Sequence, residues 1–435
     1  MDPDTAKPPS ALLDGALATN LFAAGMPRGG CNERWMLEHP AALQALQTAF
    51  VQAGCDVLYA PTFSANRPCL DRFGLGGETS DINRRLVRLT REVAQGCAVA
   101  GNLSPTGLSI EPYGETSFDL LCDIYAEQAN ALNEAGVDLF AIETMLSITE
   151  ARAAVLACRR YGKPVWVTFT LNEHDELCSG ASPLAALVTL QELGIAAFGF
   201  NCSHGPDQIC AAIREIAPYA HLPLIAKPNA GLPNPLLPDV YEISPPMFAA
   251  AMERILDAGA VIVGGCCGST AEHIQCLREL IDTRTAPPEH IHSLRELIDS
   301  RVAPLEAVPI PSSEKMSGED DLLLTSFKEL FRLSREQITL SEPIPCSFDM
   351  ADRLLEAEDE GADVLQITVQ SEEEALDFSR NAHLAKLPVC FHSDEEEALE
   401  RVLFLYNGRA LVDLRSAIPR EILASIAARY GAVLY

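Results

Sequence analysis

Basic residues are scarce in this chain. Its 435 residues carry 32 Lys and Arg against 61 Asp and Glu, a formal net charge of −29 at pH 7. Such a surface repels polyanions, so neither nucleic acid nor an anionic membrane is an expected partner. Long apolar runs are lacking too. No segment approaches the ~18 uninterrupted apolar residues of a membrane span, and Met1 to Ser10 holds no apolar core of a secretory leader. Fourteen cysteines in that setting are thiols of a reducing compartment rather than a disulfide framework, and a cytoplasmic location is expected. What is present is ordinary: 48% hydrophobic and 21% charged residues suit a large domain with a full core plus a smaller one. Most cysteines, among them Cys55, Cys97, Cys122, Cys158, Cys210 and Cys276, fall in helix or strand patterns where they fill the core.

Three thiols stand apart. Gly264-Gly265-Cys266-Cys267-Gly268 ends one apolar run, and Cys202 closes another, Phe198-Gly199-Phe200-Asn201-Cys202. Three thiols are a candidate zinc site with a fourth position free for a substrate, whereas a structural zinc is normally closed by four protein ligands. The plainer alternative makes Cys266 and Cys267 small buried hydrophobes.

The first three hundred residues alternate strand-like and helix-like runs. Strands are expected at Leu12-Leu13, 56–63, 98–103, 139–143, 165–171, 196–202, 222–227 and 261–266, each followed by a helix-compatible stretch. Eight such units predict a (β/α)8 TIM barrel. Asp14, Thr62, Asn102, Glu143, Asn201-Cys202, Asn229 and Cys266-Cys267 all lie at or just past the C-terminal ends of these strands. Loops converge on the barrel mouth at that face, so thiols after the sixth and eighth strands can meet there.

Those residues, together with Leu12-Leu13-Asp14-Gly15-Ala16, Pro61 to Arg67, Ile142-Glu143-Thr144-Met145 and Pro228 to Pro233, carry a resemblance. From about Ser10 to Leu280 the chain resembles the homocysteine S-methyltransferases. That family includes the homocysteine module of cobalamin-dependent methionine synthase and betaine–homocysteine methyltransferase. The resemblance implies that Cys202, Cys266 and Cys267 bind Zn2+ and present homocysteine as a thiolate to an electrophilic methyl group. It further implies that Asp14 and Glu143 take the amino group of homocysteine, that Gly15 N–H with Thr62 takes its carboxylate, and that Asn201 belongs to the substrate site. A separate corrinoid protein is the expected methyl donor, since no Asp-x-His-x-x-Gly signature occurs in the chain. S-methylmethionine or betaine is the alternative, with Trp35, Tyr59 and Phe63 as candidate aromatics around such a cation. A different thiol acceptor, or a non-catalytic zinc-bearing docking subunit, are the rival readings.

Residues 1–289 are thus read as the barrel, 290–319 as a duplicated helix and linker, and 320–435 as a small acidic α/β domain. The duplication is explicit: His273 to Glu289 recurs as His290 to Glu306 with 12 of 17 positions identical. Its histidines read as helix-surface residues. From Met316 to Tyr435 there are 24 acidic against 11 basic residues, a net of −13. The runs Glu372 to Glu374 and Asp394 to Glu397 read as helix starts, where carboxylates suit the positive end of the dipole, with a docking face for a basic partner as the alternative. Strands are expected at 344–348, 363–369, 388–391, 409–414 and 432–434, in parallel pairing. This unit resembles a truncated first half of the pterin-binding barrel of cobalamin-dependent methionine synthase. It departs from that pattern at Gln366, His392 and Asp413, so a docking or structural role is expected rather than folate binding. A half-barrel exposes sheet edges, and must pack on the first barrel, another copy or a partner.

Overall fold

The computed structural model of the chain describes residues 11–234, 236, 240–284 and 321–435. The second copy of the duplicated helix and the linker lie outside the described residues. All eight strands expected in the first part are present: β1 (Ala11–Leu12), β2 (Val57–Tyr59), β3 (Ala98–Leu103), β4 (Leu139–Met145), β5 (Val165–Phe169), β6 (Ala197–Cys202), β7 (Leu224–Pro228) and β8 (Ala260–Val263). They pair in parallel in the order β1-β8-β7-β6-β5-β4-β3-β2, and a bridge between Leu13 and Val57 closes the ring. Alternation along each strand sorts the side chains. Leu13, Tyr59, Ala141, Trp166, Ile225 and Ile262 pack inside the barrel, while the neighbouring positions pack outward against helices. Among the described residues no helix is long and apolar enough to cross a membrane.

Three outer helices are α1 (Phe118–Glu134), α2 (Ile148–Arg159) and α3 (Pro183–Gln191). Each starts on a serine whose side chain accepts from a backbone N–H: Ser117 from Leu120, Ser147 from Glu150 and Ser182 from Ala185. An outer barrel helix ordinarily shows a polar stripe to water. In α2 every residue from Ile148 to Cys158 is buried, and in α3 only Leu184 is partly exposed. The second part of the chain covers them.

That part opens with an antiparallel hairpin, β9 (Asp321–Thr325) and β10 (Leu330–Ser334), which the sequence reading did not include. A five-stranded parallel sheet follows: β11 (Ile344–Pro345), β12 (Leu365–Thr368), β13 (Val389–His392), β14 (Leu411–Val412) and β15 (Val433–Leu434). Leu324 of the hairpin packs on Val364, Cys390 and Leu411, sealing one end of the sheet. The acidic runs do begin helices, α4 (Glu372–Asn381) and α5 (Glu396–Leu405), and α6 (Arg420–Tyr430) precedes the last strand.

Helices and the hairpin of this second part pack on the first barrel. Arg152 of α2 donates to the carbonyls of Leu403 and Phe404 at the end of α5, and Arg159 donates to the Arg429 carbonyl of α6 at 2.7 Å. Cations on the last carbonyls of a helix satisfy its orphan acceptors and the negative end of its dipole. Burial pushes the Arg152 guanidinium down to about 10. Ser182 N–H donates to the Lys328 carbonyl at 2.9 Å, and the hydroxyls of Thr189 and Thr325 are 2.9 Å apart. Arg409 and Glu192 form a buried ion pair at 3.4 Å, whereas the bidentate Arg401–Asp119 pair, with two contacts of 2.7 Å, is partly exposed.

This difference in burial predicts unequal costs. Glu192→Leu leaves a buried guanidinium without its carboxylate and is expected to lower unfolding free energy by about 3 kcal/mol or more. Arg401→Ala removes a pair near water and is expected to cost about 1 kcal/mol or less. Urea denaturation of the two variants checks the order, and a larger loss for Arg401→Ala contradicts it.

Candidate metal and acceptor site

Cys202 is the last residue of β6 and takes a left-handed φ of 54°, followed by Ser203 at 59°. Cys266 and Cys267 follow β8. The Cys266 N–H donates to the Pro228 carbonyl at 2.8 Å, and the Ala230 N–H to the Cys267 carbonyl at 2.9 Å, so the loops after β7 and β8 are laced together. Gly268 permits the turn: its φ is 79°, and a Cβ there would lie 2.1 Å from the Tyr241 ring. The Cys202 Sγ sits 3.0 Å from Cys266 Sγ and 3.9 Å from Cys267 Sγ.

All three sulfurs fall within 4.8 Å of one another, and among the described residues no further His, Cys, Asp or Glu joins the group. The donor set is soft and three-membered, which fits zinc with one position left open. The sulfurs also share protons. Hydrogen bonds from Cys202 and Cys266 hold the Cys267 thiol below the usual thiol range, while hydrogen bonds to Cys266 and Cys267, with burial, push Cys202 well above it.

Beside the thiols lies a polar cluster drawn from five strands. Asp14, directly after the Leu13 bridge, is fully buried; its Oδ2 accepts from the Tyr59 N–H at 2.8 Å. Its Oδ1 has no hydrogen-bond partner among the described residues. Glu143 of β4 accepts from Asn102 Nδ2 at 3.0 Å through Oε2, and from Lys227 Nζ at 2.9 Å through Oε1. Lys227, next to the end of β7, also lies 3.5 Å from Asp14 Oδ1 and 3.8 Å from the centre of the Tyr59 ring. Burial raises the Asp14 carboxyl to about 6 against the pull of Lys227. Burial likewise opposes the Lys227 ammonium, but Glu143 and Asp14 outweigh it and hold its pKa well above the usual lysine range.

Asn201 joins the two groups. Its side chain accepts from Thr144 N–H at 2.9 Å, donates to Thr144 Oγ1 at 2.7 Å and reaches Cys266 Sγ at 3.8 Å. These bonds hold Thr144, next to Glu143, at a φ of 62° that a β-branched residue rarely adopts. Gly15 is hemmed in, since a Cβ would meet the Phe50 ring at 2.7 Å.

Cys202, Cys266, Cys267, Asp14, Gly15, Glu143 and Asn201 therefore share one end of the barrel. Thr62 is there too, but its hydroxyl is spent: it donates to the Asn102 carbonyl at 2.8 Å and accepts from Asn102 N–H at 3.1 Å. A carboxylate ligand needs donors, and Thr62 has none left. Two other expectations change. Tyr59 is buried beneath an internal cation rather than open to a donor. His273 is buried, its ring bonding the Ile243 carbonyl and Thr270 Oγ1, each at 3.0 Å. The sequence marks Lys227 only as the polar end of a strand. Its place follows from register, which the residue pattern alone does not give: it stands opposite Asn201 across β6 and β7, and so faces the barrel interior.

Comparison with known proteins bears on this site. A family model described as homocysteine S-methyltransferase matches residues 11–281. Methionine synthase of Mycobacterium tuberculosis is 30% identical over 289 residues, covering 60% of this chain and 24% of that protein. Methionine synthase of Mycobacterium leprae is 30% identical over 283 residues, covering 60% and 23%. The chain thus spans about a quarter of the length of the curated relatives it matches. In fold it is similar to the homocysteine methyltransferase MmuM from Escherichia coli in its metallated form. The TM-score is 0.55 and the identity 24%, over 63% of this chain and 96% of that one.

A thiol trio that holds zinc predicts two graded outcomes in chelator-competition titrations. Cys266→Ala removes a ligand and is expected to abolish stoichiometric binding. Asn201→Ala removes only a contact to a ligand, and is expected to weaken zinc by about 10- to 100-fold with stoichiometry intact at saturation. Wild-type affinity in both variants contradicts the assignment.

Proposed function

From the premise that this chain belongs to the homocysteine S-methyltransferase family, we propose that it transfers a methyl group to the thiolate of L-homocysteine, giving methionine. The observation that carries the reading is the three thiols within 4.8 Å, beside a buried carboxylate oxygen that accepts no hydrogen bond among the described residues and has the Lys227 ammonium 3.5 Å away. Cys202, Cys266 and Cys267 are the residues that would hold Zn2+. Bound there, zinc would supply the positive charge that keeps an acceptor thiol deprotonated at neutral pH, where a free thiol is only a few per cent thiolate.

The chain's own residues supply orientation. Asp14 Oδ1 is placed to accept from the acceptor's ammonium, with Glu143 as the second carboxylate of that subsite. Because Thr62 has no donor to offer, the Gly15 N–H is the backbone donor left for the acceptor carboxylate. Asn201 fixes the distance between the ammonium subsite and the sulfurs, which is what positions a four-carbon thiol amino acid for displacement. In the reaction a bond forms from the acceptor sulfur to the methyl carbon as the donor's bond to that carbon breaks, the electron pair leaving with the donor.

A methylcorrinoid on a separate protein is the donor we favour. Exposed Phe63, Leu146, Leu232 and Leu236 lie in loops that follow β2, β4 and β7, an apolar rim suited to a large partner. S-methylmethionine or betaine is the alternative. For residues 320–435 a structural role is favoured, because Asp413 is already saturated. It accepts from Gln366 at 3.1 Å, His392 at 3.1 Å and Arg415 at 2.8 Å, so the carboxylate at the end of β14 is already taken.

Turnover tests the reading. Zinc-loaded protein is given homocysteine with a methylcorrinoid protein, S-methylmethionine or betaine in turn, and methionine is read by mass spectrometry. Methionine is expected with one of the three donors and is lost in Cys202→Ala. Methylation of other thiols with homocysteine untouched contradicts it.

A further inference from the structure

The resemblance places the acceptor's ammonium between Asp14 and Glu143, yet an ammonium is already there. Lys227 Nζ is 2.9 Å from Glu143 Oε1 and 3.5 Å from Asp14 Oδ1, and only 5% of the residue is exposed. Two carboxylates this close in a buried place cannot both stay ionised without a cation. One ammonium leaves the trio with a net charge of −1, which is what a single incoming ammonium neutralises. Asp14 Oδ1, which accepts no hydrogen bond among the described residues, is a carboxylate oxygen open to it.

We infer that Lys227 is a positioning residue of the acceptor subsite, the internal counter-ion that keeps Asp14 and Glu143 charged and ready for the amino group of a zwitterionic thiol. The inference rests on the proposed homocysteine reading and adds a residue to it. Among the described residues the groups that face Asp14 are few. They are Lys227 from β7, Glu143 from β4, and the Tyr59 ring and N–H from β2; the Cys55 and Cys97 thiols act on it from further off. Cys266, after β8, faces Lys227 itself.

The sign follows from burial. Asp14 titrates at about 6 with Lys227 helping to hold it down. Its ionised form, the one that accepts an ammonium, is lost as pH falls through that value. Without Lys227 the same loss moves to higher pH, so at a given pH an acceptor meets protonated Asp14 more often.

The test is calorimetric binding of homocysteine to the zinc-loaded full chain between about pH 5 and 9, for wild type, Lys227→Met and Lys227→Arg, with zinc content measured on each. The ratio of variant to wild-type affinity cancels the titration of homocysteine itself. For Lys227→Met the expected loss is about tenfold per unit of displaced pKa at the acid end of the range, below the Asp14 value, and it narrows as pH rises. Zinc is expected to stay at the wild-type level, and Lys227→Arg to recover most of the affinity. A Lys227→Met ratio near one at every pH overturns the inference while leaving the functional reading intact. Wild-type protein that holds zinc but binds no homocysteine overturns both. Should Lys227→Met not accumulate as folded protein, Asp14→Asn decides. It removes the acid limb of homocysteine binding if the Asp14–Lys227 pair sets that limb, and an unchanged limb overturns the inference.

Discussion

A proline carbonyl holds this site together. Pro228 ends β7 opposite Cys202 in the ladder with β6, and its carbonyl accepts the N–H of Cys266 from the far side. One residue thereby ties the β6 and β8 loops to a common strand. Thiols 64 residues apart in sequence stand 3.0 Å apart as a consequence. Had the ladder between β6 and β7 slipped by a single residue, every side chain would have changed face, and Cys202 would have pointed away from Cys266. The meeting of the three sulfurs is thus a property of strand register.

The same register delivers the electrostatics. Position 227 faces position 201, which puts Lys227 inside the barrel among Asp14, Glu143 and Tyr59. A cation, two carboxylates and a sulfur cluster in one low-dielectric pocket is a balanced set only if each member is present. This balance explains why the polar groups are so thoroughly cross-bonded, Asn201 reaching both Thr144 and Cys266. Within the pocket one carboxylate oxygen, Asp14 Oδ1, accepts no hydrogen bond among the described residues.

Much of this was legible in the residues. Eight strand-then-helix units, with polar residues at the strand ends, read directly as a barrel with its mouth at Cys202 and Cys266-Cys267, because pattern and spacing are local properties. What escaped was relational. Lys227 is one polar residue at the end of a strand until its register with Asn201 is known. Thr62 resembled a free donor until Asn102 was seen to take its hydroxyl. The hairpin of 321–334 carries Lys328 and Arg332 among short apolar runs, too weak an alternation to stand out. Residues 183–191 did hold a signal: Pro-Leu-Ala-Ala-Leu-Val-Thr-Leu-Gln has no charged stripe, and a barrel helix with none must be covered by something. The covering unit is the second sheet, held through Arg152, Arg159 and the Glu192–Arg409 pair.

The central claim is that three cysteines hold a metal whose remaining position belongs to the acceptor sulfur. Zinc-edge X-ray absorption on the loaded protein, with and without homocysteine, tests it most directly. The account predicts three sulfurs and one lighter ligand in the free protein, becoming four sulfurs when homocysteine is added. Four protein ligands from the outset, or a shell that does not change with homocysteine, would contradict it.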